Sequence, residues 1–167
     1  MPYTHAPIFT KKAAFRRALM SWYRDQARDL SWRGTQDPYA IWVSEIVLQQ
    51  TRVDQGTPYI ERFLKKFPTV FDLAKAKEDA VLKLWEGLGY YSRARNLHKA
   101  ARIVADERNG VFPANAIEWE TLPGVGRYTA GAISSIAYGE NAPVVDGNVK
   151  RVLARLLDCH DLSLIHI

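Results

Sequence analysis

Between Leu122 and Arg155 the chain reads L-P-G-V-G-R-Y-T-A-G-A-I-S-S-I-A-Y-G-E-N-A-P-V-V-D-G-N-V-K-R-V-L-A-R, and this stretch constrains the fold more than any other. Pro123 and two glycines bracket Val125, and a small-residue helix follows over about 128–138. Gly124 and Gly126 permit positive φ and leave the backbone bare toward a ligand. The amides of Val125, Gly126 and Arg127 then fall at a helix start, where unpaired N–H groups favour an anion such as a phosphate. An ordinary turn between two helices would carry the same punctuation, so the turn alone leaves both readings open. The segment Val144-Val145-Asp146-Gly147-Asn148-Val149-Lys150-Arg151, some twenty residues on, is the second half of the pattern.

The rest of the chain has helical periodicity and no strand signal. Thr10 is placed to cap a first helix over about 11–30, with Phe15, Leu19, Trp22 and Tyr23 on one face. Ser31-Trp32-Arg33-Gly34 breaks it. Asp37-Pro38 starts a helix running to about Gln50, and its apolar residues Ile41, Val43, Ile46 and Val47 predict a central position. Thr57-Pro58 repeats the start signal for a helix to about Phe67. Further helices are predicted over 77–86, over 92–109 closed by Gly110, over 116–121, and from Asp146 to about Asp158. The fold class expected is all-α.

With 167 residues, 47% of them hydrophobic, the chain can bury one core, or one core and part of a second. A net charge of +5 suits a polyanion such as nucleic acid, as it would suit a small basic enzyme. Most of the five Trp and eight Tyr belong in a core, which leaves a few to stack on bases. The single cysteine, Cys159, excludes an internal disulfide and a four-cysteine metal or iron–sulfur site within this chain. No run approaches the ~20 apolar residues of a membrane span, and no secretory signal pattern opens the chain. The expectation is a monomer in bacterial cytoplasm, associated with the nucleoid and not with a membrane.

Two carboxylates stand out. Glu45 lies in W-V-S-E-I-V-L-Q-Q-T between apolar neighbours. A carboxyl buried there would have a raised pKa, as a general acid needs, whereas a Glu on the polar side of the helix would be unremarkable in chemistry. Asp146 is equally well placed as an ordinary helix cap. A pair of carboxylates would serve N-glycosidic cleavage, in which one protonates the leaving base and the other stabilises an oxocarbenium-like sugar. A target base in duplex DNA must also leave the stack. That requires a grip on the backbone, for which the hairpin is a candidate, and a filler for the gap, for which Gln50 and Tyr90 are candidates.

Long ordered blocks carry a resemblance: Trp32-Arg33, D-P-Y-A-I-W-V-S-E-I-V-L-Q-Q-T-R-V at 37–53, L-W-E-G-L-G-Y-Y-S-R-A-R-N-L at 84–97, and the two segments of the opening stretch. Over about residues 8–160 the chain resembles the helix-hairpin-helix, endonuclease III-like DNA glycosylases, and within them the MutY family that removes adenine opposite 8-oxoguanine or guanine. The resemblance implies a six-helix barrel over 31–145 with the hairpin at about 116–138. It implies a second helical domain to which residues 1–30 and 146–161 belong. Glu45 is then the acid that protonates adenine and assists water, and Asp146 the carboxylate that stabilises the sugar cation, either electrostatically or as a transient nucleophile. Tyr128 and Asn148 position that pair. Gln50, Thr51 and Tyr90 probe or wedge at the opposite 8-oxoguanine, and Trp32, Arg33 and Leu48 line the adenine pocket. Gly124, Val125 and Gly126 hold phosphate through backbone amides, in the family often with an alkali-metal ion. The partner implied is double-stranded DNA carrying an adenine mismatch.

The departures matter too. The family continues to four cysteines holding a [4Fe–4S] cluster and to a C-terminal domain, so the cluster is expected only in a longer parent. Residues 162–167 resemble the translation of a transposon-type sequencing adapter and are read as a non-native tail. Strand-cleaving relatives place a Schiff-base lysine directly after the hairpin, where this chain has Tyr128. The resemblance therefore implies a monofunctional hydrolase, poorly active in this short form. A bifunctional glycosylase/lyase and a non-catalytic DNA-binding module are the rivals.

Overall fold

A computed structural model describes residues 11–30 and 32–157. Among these residues the structure is all-α, without strands. The helices are α1 (Lys12–Gln26), α2 (Pro38–Val47), α3 (Val53–Lys66), α4 (Val70–Lys75), α5 (Glu78–Leu84), α6 (Ser92–Arg102), α7 (Ala116–Trp119), α8 (Arg127–Tyr138) and α9 (Gly147–Leu156). The chain divides into two compact units: Leu30–Val144, and the flanking segments Met1–Asp29 with Val145–Ile167.

Within Leu30–Val144, α2 is the central element, packed on α3, α6 and α8. Asp37 accepts from the Tyr39 amide at 2.9 Å and Pro38 occupies the first turn, so the helix opens where its start signal lies. Ile41, Trp42, Val43, Ser44, Ile46 and Val47 are all buried, which explains why the segment carries almost no polar face. Trp42 meets the Trp119 ring at 5.6 Å between centroids, and Phe112 stacks on Trp119 at 5.9 Å. The Tyr39 hydroxyl donates to the Phe67 carbonyl at 2.8 Å, so its buried polar tip has a partner.

Several boundaries differ from the sequence reading. The third helix begins at Val53, a turn before Thr57-Pro58, and Pro58 lies inside it. Gly56, readable as a helix breaker, is buried against α2; a Cβ there would lie 2.7 Å from Leu48 Cδ2. It is a packing glycine, and the Thr57 hydroxyl, donating to the Val53 carbonyl at 2.7 Å, reinforces the turn ahead of the proline. Helix α4 lies where the sequence pattern shows no helix. It is short, and it is held by a reciprocal capping box between Thr69 and Asp72. The long helix predicted over 92–109 becomes α6 followed by a π-helical turn at Ile103–Glu107. The first helix ends at Gln26 rather than 30, and Lys11 precedes it without a side-chain cap. The predicted cap Thr10, Ser31 of the break, Cys159 and the 162–167 tail lie outside the described residues.

In the flanking unit, α1 buries no residue, and Leu19, Met20, Trp22 and Tyr23 are exposed. Helix α9 buries only Ala154.

Candidate nucleic-acid interface and catalytic carboxylates

The hairpin forms as its residues dictate, with one redistribution of roles. Gly124 has φ +78°, and a Cβ there would sit 2.6 Å from Asn96 Cβ on α6, so both conformation and packing demand glycine. Gly126 does not use positive φ. It is the N-cap of α8 at φ −87°, with nothing within 4 Å of where a Cβ would stand. Its side is open. Val125 turns inward: its side chain is buried and its amide donates to the Leu122 carbonyl at 3.1 Å. The expectation that the Val125 amide binds phosphate is therefore corrected, because that donor is already used. Gly124, Gly126 and Arg127 keep amides without an intrachain acceptor among the described residues. Tyr128 follows in the first turn of α8 and is exposed.

Glu45 is half-buried, one of three residues of α2, with Pro38 and Ala40, that are not fully enclosed. Burial pushes its carboxyl up from the usual carboxylate range, and the nearby Arg33 guanidinium pulls it back in part. Trp32 is buried in the core, Arg33 is exposed, and Leu48 is half-buried at the end of α2. Thus Arg33 stands by Glu45 electrostatically, while Trp32 contributes to packing whatever else it lines.

The turn after α2 is fastened on two sides. Gln49 Nε2 donates to Thr129 Oγ1 on α8 at 3.1 Å, which ties it to the hairpin helix. Thr51 closes it locally, its amide donating to the Leu48 carbonyl at 3.2 Å. On the other side Arg93 donates to the carbonyls of Ile46, Val47 and Gln49, and also to those of Leu88 and Gly89. Desolvation holds the Arg93 pKa below its ordinary value, with an opposing contribution from Tyr90. Gln50 and Tyr90, both exposed, adopt left-handed φ of +56° and +47°. Such a conformation costs roughly 1 kcal/mol or more for a residue with a side chain and survives only where its surroundings impose it. Gln49 and Arg93 belong to the polar stretches 49–52 and 89–93, which the sequence offers as a face for DNA through phosphate contacts and stacking, but their part in fastening this turn is not readable there. Arg93 ends the run Gly89-Tyr90-Tyr91-Ser92-Arg93, where a basic residue stands within one turn of a glycine-aromatic break, but the run does not say which acceptors it finds.

Asp146 caps α9. Its Oδ1 accepts from the Val149 amide at 2.7 Å, and its Oδ2 from Asn148 Nδ2 at 3.1 Å. Asn148 Oδ1 in turn accepts from Arg151 at 2.6 Å. Asn148 thus orients Asp146 within its own unit, and both carboxylate oxygens are fixed.

No cluster of His, Cys, Asp or Glu among the described residues could hold a metal ion. A four-cysteine cluster has no ligand set in 167 residues with one cysteine. No helix of the described residues is long and apolar enough to cross a membrane.

Residues 43–163 match the HhH-GPD superfamily base excision DNA repair protein family. The chain is similar to the adenine DNA glycosylase of Rattus norvegicus, 51% identical over 152 residues, covering 86% of this chain and 30% of that one. It spans less than half the length of the curated relatives it matches first. Its fold is similar to the structure of a thermostable thymine-DNA glycosylase, with TM-score 0.81, 31% identity, and coverage of 89% of this chain and 69% of that one. A non-covalent endonuclease III–DNA complex is similar with TM-score 0.76 at 27% identity, over 93% of this chain and 73% of that one. By sequence and by fold, the chain belongs to the HhH-GPD superfamily of base excision DNA repair proteins.

Proposed function

We propose that the chain carries the barrel and part of the second domain of a monofunctional adenine DNA glycosylase, acting on adenine mispaired with 8-oxoguanine or guanine in double-stranded DNA. The observation that carries this reading is Glu45, a carboxyl with a raised pKa on the buried central helix. In this reading the amides of Gly124, Gly126 and Arg127 grip a phosphate, and Gln50, Thr51 and Tyr90 occupy the space left by the extruded base. Glu45, protonated, donates to the leaving adenine and then accepts a proton from the attacking water. Asp146, aimed by Asn148, stabilises the positive charge that develops on the sugar. Arg33 tunes Glu45, and Trp32 and Leu48 back the base pocket. The residues Leu30–Val144 form the barrel in this assignment, and α1 and α9 belong to the second domain.

Tyr128 favours hydrolysis over strand cleavage. It offers a phenol, not an amine, at the second position of α8, so the position beside the hairpin cannot form a Schiff base.

Single-turnover release of adenine from a duplex opposite 8-oxoguanine tests the reading. Glu45→Gln should lower the rate at least about 10²-fold while leaving duplex affinity within roughly twofold. The strand should stay intact until alkali is added, with little covalent complex trapped by borohydride. Release by Glu45→Gln at the wild-type rate would remove the acid from the mechanism. Efficient trapping would move the chain to the strand-cleaving class.

A further inference from the structure

We propose that Arg93 is a positioning residue that locks Gln50 and Tyr90 into one rigid probe, a role that rests on the DNA-repair reading above. Among the described residues only Gln50, Tyr90 and Asn109 combine a side chain with positive φ. Two of these three sit on turns that share a single guanidinium. One Arg93 nitrogen donates to the carbonyls of Ile46 at 3.2 Å, Val47 at 3.1 Å and Gln49, all at the end of α2. The other donates to Leu88 at 3.2 Å and Gly89 at 3.3 Å, in the turn that precedes α6. The same guanidinium lies 5.3 Å from the Trp85 ring centroid and 5.7 Å from that of Tyr90. Trp85 Nε1 closes the second turn by donating to the Gly89 carbonyl at 3.2 Å.

The two turns are some forty residues apart in sequence, and the planar fork is the group that bonds to both. Carbonyls at a helix end carry partial negative charge, and a desolvated cation facing them has few competing partners. A lysine would keep the charge but present one nitrogen, which cannot reach two turns in fixed directions. The strained backbones at Gln50 and Tyr90 are therefore imposed by a shared neighbour, and a displacement of one turn is transmitted to the other. Through Gln49 and Thr129 the probe is also fixed to the hairpin helix, so grip and probe keep one register. The two side chains should act on DNA as a unit.

Hydrogen exchange on the free 167-residue chain reads this without DNA. Arg93→Lys should speed exchange at least about tenfold in both 46–52 and 86–93. Gln50→Gly, which relaxes the first turn and keeps the fold, should change exchange in 86–93, a segment to which Gln50 makes no hydrogen bond. That transmission should vanish when Arg93→Lys is added. Opening of one turn alone under Arg93→Lys, or no response of 86–93 to Gln50→Gly, would overturn the proposal. A second arm uses a duplex with 2-aminopurine opposite 8-oxoguanine. Gln50→Ala and Tyr90→Ala should be non-additive in affinity with Arg93 present, by about tenfold, and additive in the Arg93→Lys background. Additivity with Arg93 present would also overturn it. Should the wild-type chain neither bind this duplex nor raise its fluorescence, the DNA reading fails, and exchange alone still decides whether Arg93 couples the turns.

Discussion

The unit Leu30–Val144 and the flanking helices α1 and α9 hold their candidate catalytic carboxylates in different ways. Glu45 sits on α2, where seven of ten residues are buried and Trp42, Val47 and their neighbours fix the backbone by packing. Asp146 is held by its own helix: its contacts are with Val149 and Asn148, both within three residues. Along α9, which Asp146 caps, the apolar residues Val152, Leu153 and Leu156 are exposed, while on α2 Glu45 is flanked by the buried Ser44 and Ile46. The contrast shows two routes to orienting a charged group. A packed core sets position through many weak contacts and raises the pKa as a by-product. A helix cap sets orientation through two hydrogen bonds and leaves the group dependent on the helix itself.

Three experiments would break or sharpen this contrast. The largest effect should come from the core. Trp119→Ala should cost about 3–5 kcal/mol in urea unfolding, whereas Leu153→Ala on α9 should change stability by less than about 0.5 kcal/mol. Similar losses at both positions would show that α9 is packed as firmly as the barrel core. Next comes the cap. Asp146→Ala should weaken α9 by about 1 kcal/mol, read as faster amide exchange over 147–156, while Asp146→Asn should change it by a few tenths at most because Asn caps nearly as well. An equal response to both substitutions would mean that charge, not capping, holds this helix.

The smallest effect concerns stability and pH at Glu45. Its folded-state pKa is raised, so the folded protein binds the proton more tightly than the unfolded chain does. The stability this contributes is complete below the ordinary carboxyl value of 4.5 and is lost as pH rises through the raised value. At neutral pH Glu45→Gln should therefore stabilise the protein, by roughly 0.5–1 kcal/mol, in the range of common stabilising substitutions. Melting curves of both proteins at pH 4 and pH 8 check this, and the gain should shrink at the lower pH. A loss of stability at pH 8 would mean that the carboxylate has a favourable partner after all.

Much of this was readable in the residues, for definite reasons. Asp37-Pro38 states a helix start chemically, and the apolar run behind it has nowhere to go but the core. Pro123 and Gly124 state a tight turn, and the turn is there. Other features depend on distant neighbours that local signals do not report. Thr57-Pro58 looks like a helix start, yet α3 begins at Val53, with Gly56 packed on Leu48 and Pro58 inside the helix. Gly126 permits a left-handed turn like Gly124, yet its backbone is extended and its use is an open side. Thr69 and Asp72 spell a capping box that was legible in sequence, but a six-residue helix has too few turns to show periodicity. Arg93 shows the limit most clearly. Its importance lies in five carbonyls, three of them more than forty residues away, and no spacing rule encodes where a guanidinium will find acceptors.

The tryptophans give the molecule an optical asymmetry. Trp32, Trp42, Trp85 and Trp119 are all buried in Leu30–Val144, whereas Trp22, on α1, is 60% exposed. Indoles shielded from water emit toward the blue and resist collisional quenchers, and an exposed one emits toward the red and does not. Emission on the blue side therefore follows the barrel core alone, and the red, quenchable component follows α1. A single label-free spectrum thus resolves the two units of one chain.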